Sequence, residues 1–239
     1  MIVLLHGFTG APDVWDPVTA CLGGPTVAET LAGHHADLLE PGGFADEVLR
    51  LRARLAGRAP VHLVGYSMGA RLALALSLAA PAWIRRLTLI GVNPGLEDDA
   101  ARAARVAADE AWARLLETEG IAAFLERWES QPLFASQQAL PREVCARHRA
   151  RRRGHDPRGL AAALRRLGLG AMRAMWTSLP DLGMPVTYVS GRLDHKFVSL
   201  AARAAASTPR GRHRVVEGAG HDVVLEAPRA LAAILEESP

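Results

Sequence analysis

Of the 28 strong cations in this 239-residue sequence, only Lys196 is a lysine; every other one is arginine. Two readings fit that scarcity. A genome that favours arginine codons would produce it, and so would anion recognition, because a guanidinium grips carboxylate and phosphate bidentately. Composition alone does not choose between them. Cysteine is scarce too. Cys21 and Cys145 are the whole supply, which excludes a disulfide framework and predicts two reduced thiols in a cytoplasmic protein. No apolar run reaches the ~18–20 residues of a membrane span, so membrane insertion is not expected. The opening MIVLLHGF lacks the basic start and cleavage site of a signal peptide. Internal repeats and low-complexity linkers are also missing. The 25 acidic residues nearly balance the cations, leaving a net charge of +3 despite a pI near 9.4. No basic stripe carries interleaved aromatics, which argues against a nucleic-acid partner.

What is present suits one globular α/β domain spanning 1–239, with 49% apolar residues to build its core. Strands are predicted at Ile2–Leu5, Val27–Glu29, Val61–Gly65, Leu87–Val92, Val186–Ser190 and Arg214–Val216. Helices are predicted at Asp13–Leu22, Phe44–Leu55, Met68–Ala79, Val198–Ser207 and Pro228–Glu236. Near-continuous apolar strands alternating with helices predict a parallel sheet covered on both faces. From about residue 97 to 178 no strand is apparent. Helix follows helix, with breaks at Gly120, near Pro132, at Pro141 and at Gly154–Pro157. A block that long is not a loop; it reads as an inserted helical lid rich in arginine.

The chemistry is concentrated in four short motifs. Gly65-Tyr66-Ser67-Met68-Gly69 is a G-x-S-x-G that ends a strand and opens a helix. That context is a nucleophile elbow, a strained turn lifting the serine Oγ out of the sheet. His6-Gly7-Phe8-Thr9-Gly10 ends the first strand, and the Phe8 N–H can converge with that of Met68 to form an oxyanion hole. His221, in Gly218-Ala219-Gly220-His221 after the last strand, is the candidate base. Asp194, in SGRLDHKF after the fifth strand, is the candidate that orients it. Asp181 and Asp222 are rivals for that place, although Asp222 is adjacent in sequence and poorly placed to face the ring. The chain order Ser, Asp, His is that of α/β-hydrolases. The fold expected is therefore an α/β-hydrolase: six mainly parallel strands in the order 2-1-3-4-5-6, with a lid over their carboxyl ends.

Arg71 fits this picture less readily. It lies one turn into the helix that Ser67 opens, where the helix dipole disfavours a cation. An anionic partner would offset that cost.

The sequence resembles the 2-succinyl-6-hydroxy-2,4-cyclohexadiene-1-carboxylate synthase (MenH) family along essentially its whole length. The similarity rests on LLHGFTG, LVGYSMGARLAL, NPGLEDDAARAARVAADEAWA, FLERWESQPLFAS, DPRGLAAALRRLGLGAMRAMW, SGRLDHKF and GAGH. The lid segments and Arg71 are its specific part. The resemblance implies a lyase of menaquinone biosynthesis that uses no cofactor and no metal. Its substrate is a polycarboxylate: a cyclohexene bearing a ring carboxylate, a succinyl ketone and an enolpyruvyl ether. A proton α to the ketone is removed and pyruvate leaves. Ser67, activated by His221 and Asp194, would act as the base, and the dienolate oxygen would sit between the Phe8 and Met68 N–H groups. By motif match, Tyr66, Arg71, Arg105 and Trp128 are the substrate-contacting positions, and Arg152 is the expected choice from the Arg149–Arg153 run. Two departures stand out. The sequence begins directly on the strand that is usually third in this fold, so a leading β-hairpin is not expected, and the family's PGHG reads LAGHHA at 31–36. A hydrolase of esters, thioesters or C–C bonds on the same fold is the alternative, and a non-catalytic binding protein a more distant one.

Overall fold

The computed structural model describes residues 1–35 and 42–237. Six strands form one sheet: β1 (Ile2–Leu5), β2 (Thr26–Glu29), β3 (Val61–Tyr66), β4 (Ile84–Ile90), β5 (Val186–Gly191) and β6 (Gly211–Val216). Their spatial order is β2-β1-β3-β4-β5-β6, and every neighbouring pair is parallel. Strands β3, VHLVGY, and β5, VTYVSG, are buried along their whole length. Such runs form where both faces of a parallel sheet are covered.

The first face is covered by α2 (Phe44–Leu55), α3 (Met68–Ala79) and α7 (His195–Ala206), which share an apolar core with the sheet. On α2 the buried Val48, Leu51 and Leu55 make one stripe, and the Asp46 carboxylate accepts the Gly43 N–H at 2.6 Å to close the first turn. The opposite face is covered by α1 (Asp16–Thr19), α8 (Val223–Glu226) and α9 (Pro228–Glu236) around Trp15, Val18 and Leu231.

Between β4 and β5 lie α4 (Asp99–Glu129), α5 (Arg142–Arg153) and α6 (Pro157–Leu167), with a 3₁₀ stretch, Pro132–Ala139, between the first two and two more after the last. Gly120, at φ 79°, breaks α4. This insertion has its own small core, in which Leu116, Phe124 and Leu125 pack on Leu160 and Leu164. Its two stems are tied together at the sheet. The Met175 N–H donates to the Pro94 oxygen at 2.7 Å, and the Trp176 indole N–H to the Gly95 oxygen at 2.9 Å. Arg151 reaches from α5 to Asp13 of the sheet domain at 2.8 Å.

Several boundaries differ from the sequence reading for identifiable reasons. The helix expected at Asp13–Leu22 is a 3₁₀ turn, Pro12–Trp15, followed by the short α1. Pro17 has no N–H to continue a helix through that point. Strand β4 begins at Ile84, straight out of the Pro81–Trp83 turn, and ends before Gly91, whose φ is 58°. Strand β6 is an edge strand whose polar Arg212 and His213 hid its first half. Helix α7 starts three residues early because Asp194 caps it, accepting the Phe197 N–H at 3.3 Å. No helix among the described residues is long and apolar enough to cross a membrane.

Candidate active site

Strand order reverses direction of growth at β1, so the loops after β1 and β3 diverge to opposite faces and leave a crevice at the carboxyl ends of the strands. Ser67 stands in that crevice with φ 52° and ψ −106°, a conformation that L-residues rarely adopt. The flanking glycines have a different task. A Cβ on Gly65 would run into the Gly69 oxygen, and one on Gly69 into the Leu5 and His6 oxygens. They let α3 close onto β1 and β3, while the strain itself falls on the serine.

The Ser67 hydroxyl donates to His221 Nε2 at 3.2 Å, and His221 Nδ1–H donates to Asp194 Oδ2 at 2.8 Å. Asp194 and His221 are both buried. The cap on α7 occupies one oxygen of Asp194 and leaves the other facing the imidazole. Phe197, one turn into α7, lies 4.4 Å from the imidazole ring. The rivals lie elsewhere. Asp222 caps α8 through the Leu225 N–H at 3.1 Å, and Asp181 is exposed at the end of a 3₁₀ turn.

The N–H groups of Phe8 and Met68 donate to no acceptor among the described residues. The Phe8 loop is braced from below by three histidines. Thr9, at φ 61°, donates its N–H to His34 Nε2 at 3.1 Å and accepts from His155 Nε2–H at 3.1 Å. His6 donates through Nδ1 to the Gly7 oxygen and accepts the Leu31 N–H on Nε2. Accepting on one nitrogen requires neutral rings. Burial enforces that state, pushing His6 down to about 4 and His34 well below the usual imidazole range. His34 of this brace lies in the LAGHHA segment, whose last residue, Ala36, is outside the described residues.

A cavity of about 300 Å³ opens above Ser67, within the range of small-molecule sites. Its lining includes Phe8, Tyr66, Ser67, Met68 and His221 from the sheet domain, and Arg105, Trp128 and Arg152 from the insertion. Arg71, Arg105, Arg152 and Lys196 all line it, and no carboxylate does among the described residues. Arg71 is buried and donates to the Leu167 oxygen at 2.9 Å, at the carboxyl end of α6. Its charge is therefore at the unfavourable end of its own helix and the favourable end of another. Burial, together with repulsion from Arg105, pulls Arg71 down to about 9. Arg105 is held from behind by Asp109 at 2.8 Å. Burial works against the Asp109 charge, and Arg105 and Arg71 work for it. Arg152 is 4% exposed, bonded to Glu129 at 3.3 Å, and its Nε has no partner. Trp128 roofs the cavity, stacked on Phe124 at 5.3 Å and edge-on to Phe8 at 5.3 Å.

Sequence reasoning missed Asn93, Gln131, Phe134, Phe197 and Lys196 as lining residues. Lys196 had a signal, being the only lysine and two residues after Asp194. The others come together only when the insertion folds over the sheet. No cluster of three or more His, Cys, Asp or Glu side chains suited to a metal occurs among the described residues.

Residues 2–234 match the model of the alpha/beta hydrolase family. A 2-succinyl-6-hydroxy-2,4-cyclohexadiene-1-carboxylate synthase of Salmonella heidelberg is 33% identical over 240 residues, covering 99% of this chain and 92% of that protein. The structure of MenH from S. aureus superposes with a TM-score of 0.93 at 28% identity, covering 98% of this chain and 91% of that one. A thermophilic esterase from Thermogutta terrifontis has the same fold, with a TM-score of 0.83 at 21% identity over 98% and 87% of the two chains. The chain belongs to the alpha/beta hydrolase family and, within it, to the 2-succinyl-6-hydroxy-2,4-cyclohexadiene-1-carboxylate synthases.

Proposed function

We propose that this protein is a carbon–oxygen lyase of menaquinone biosynthesis. It converts 2-succinyl-5-enolpyruvyl-6-hydroxy-3-cyclohexene-1-carboxylate to 2-succinyl-6-hydroxy-2,4-cyclohexadiene-1-carboxylate and pyruvate. The observation that carries this reading is the cavity lining: four cations and, among the described residues, no carboxylate, beside a Ser-His-Asp triad. A substrate with three carboxylates suits such a cavity. The apolar acyl group of an ordinary ester does not, because burying a guanidinium without an anion is costly.

In the proposed mechanism, Arg71, Arg105 and Arg152 hold the substrate carboxylates by charge-assisted hydrogen bonds. Tyr66 and Trp128 bound the ring. Ser67 Oγ takes the proton α to the succinyl ketone as its own proton passes to His221 Nε2. Asp194 stabilises the imidazolium that forms. The electron pair of the broken C–H bond moves onto the ketone oxygen, which rests between the Phe8 and Met68 N–H groups; each such donor is typically worth ~10²–10³ in rate. As the carbonyl re-forms, the ring double bond shifts and the C–O bond to enolpyruvate breaks. The leaving group regains the proton from His221 and ketonises to pyruvate. No water, oxidant or metal enters this balance.

Cys21 and Cys145, both free, suit the proposed cytoplasmic setting. The same triad supports ester hydrolysis as a second reading, in which Ser67 attacks carbon. Turnover of the cyclohexene substrate, followed by pyruvate release, tests the lyase reading. Absence of pyruvate together with turnover of small esters would favour the hydrolase.

A further inference from the structure

His221 is anchored through its ring by Asp194, and the backbone beneath it is held by separate contacts, among them the Leu193 N–H to the Ala219 oxygen at 2.9 Å. The residue sits in the loop between β6 and α8, just after Gly218 at φ 73°. Glu226, the last residue of α8, folds back under this loop. Its Oε2 accepts the Gly220 N–H at 2.7 Å and its Oε1 accepts the Asp222 N–H at 3.3 Å. These two amides flank His221. The Glu226 N–H in turn donates to the Asp222 oxygen at 2.8 Å, so carboxylate and loop are closed into one unit.

Two features show that this carboxylate is there for the loop. It is half-buried, yet no cation lies within ion-pair distance of it among the described residues. Its charge is met by the two backbone N–H groups and by the Ser136 hydroxyl instead. The surroundings also leave the loop little slack. A Cβ on Gly220 would come within 2.9 Å of Ser136 Cβ, and one on Gly91 within 2.9 Å of His221 Cε1. The loop is thus pressed between the insertion and the end of β4, with Glu226 setting its height.

We propose that Glu226 is a positioning residue: by bridging the amides on either side of His221 it sets the imidazole at hydrogen-bond distance from Ser67 Oγ. The inference rests on the triad of the proposed function, but not on which substrate the triad serves. Loss of the bridge should shift Nε2 relative to Oγ, and a displacement of that order costs up to ~10²-fold in the catalysed step.

The test uses Glu226→Gln and Glu226→Ala, with two readouts normalised to folded protein. One is kcat and KM for pyruvate release. The other is the rate at which a fluorophosphonate modifies Ser67, which depends on the Ser67–His221 contact and not on the carboxylate-binding residues. Glu226→Gln keeps one acceptor oxygen and places an NH₂ against the second amide. It is expected to lower kcat and the modification rate together by about tenfold, and Glu226→Ala by more, with KM within about twofold. Should Glu226→Ala fail to fold, Glu226→Gln carries the comparison. Unchanged Ser67 modification per folded molecule would overturn the proposal, leaving Glu226 a stability residue. So would a loss confined to KM. If the wild type releases no pyruvate while both variants still slow modification, the lyase reading fails and the positioning role stands.

Discussion

The backbone N–H of Arg71 donates to the carbonyl oxygen of Ser67 at 3.2 Å. One helical turn therefore fixes the distance between the proposed base and the buried cation of the cavity. Because α3 is packed between β3 and α2 with nine of its residues buried, that distance is rigid. Arg71→Ala is expected to lower kcat/KM for pyruvate release by about one to two decades, since a charge-assisted hydrogen bond is worth ~1.5–3 kcal/mol. Arg71→Lys is also expected to lose activity, because an ammonium lacks the planar fork. Unchanged steady-state kinetics in Arg71→Ala would remove the carboxylate clamp from the mechanism.

Arg105 and Asp109 predict non-additivity. In Arg105→Ala the buried Asp109 carboxylate loses its 2.8 Å partner and has Arg71 as a neighbouring cation. Arg71 then spends its charge on Asp109 and the substrate KM rises. Adding Asp109→Asn should recover part of that loss. A double variant no better than Arg105→Ala, measured in the same assay, would show that the two arginines act independently.

Ser67→Ala is expected to abolish nearly all pyruvate release, because in the proposed mechanism Ser67 Oγ is the group that takes the proton. With the cyclohexene substrate no acyl-enzyme should accumulate in the wild type, since the serine takes a proton and does not attack carbon. Rapid-quench mass spectrometry during turnover checks this. A covalent adduct on Ser67 would turn the assignment from lyase to hydrolase.

The buried histidines predict loss of stability in acid. Burial lowers His6 from 6.5 to about 4, and His62 and His148 to about 3. Between those values and pH 6.5 the unfolded chain binds protons on these rings that the native chain does not. Stability is therefore full above about pH 6.5 and falls as pH drops towards 4. His6 alone contributes on the order of 3 kcal/mol to that fall. Urea midpoints measured from pH 7.5 to 4.5 should decrease throughout; a flat profile would show that these rings are already solvated.

Gly69→Ala is expected to destabilise the fold by more than ~2 kcal/mol, because the new Cβ meets the carbonyl oxygens of Leu5 and His6, which are backbone and cannot give way. Gly24→Ala, where nothing lies within 4 Å, is the matched neutral change. Equal melting temperatures for the two variants would contradict the close approach of α3 to β1.

How much of this was legible in the sequence depends on how local each feature is. The sheet order and the Ser-Asp-His order were legible because each residue follows its own strand in a motif of a few residues. The roles of Gly65 and Gly69 were only half legible. A free backbone was expected of them, but the positive φ belongs to Ser67, and the glycines serve an approach between β1, β3 and α3 that no five-residue pattern encodes. Arg152 was legible only as one of a run. The helical register of α5 selects it: His148 and Arg152, four apart, are the two buried residues, while Arg149 and Arg151 turn outward to Glu129 and Asp13. Phe197, Asn93 and Gln131 were illegible because their neighbours come from distant parts of the chain.

The hydrogen bonds from Met175 to Pro94 and from Trp176 to Gly95 close the helical insertion into a loop that leaves and rejoins the sheet at a single neck. In the proposed mechanism, proton transfer depends on groups below that neck, and recognition largely on Arg105, Trp128 and Arg152 above it. Further contacts join the two: His155 of the insertion bonds the Thr9 oxygen at 3.1 Å, and Ser136 abuts Gly220. A roof taken from an esterase of the same fold and spliced at residues 95 and 175 would change what reaches Ser67, and would keep the serine reactive where it replaces those two contacts. Selection can exchange the substrate without rebuilding the base, because closing the neck has already met the entropy of joining the two parts.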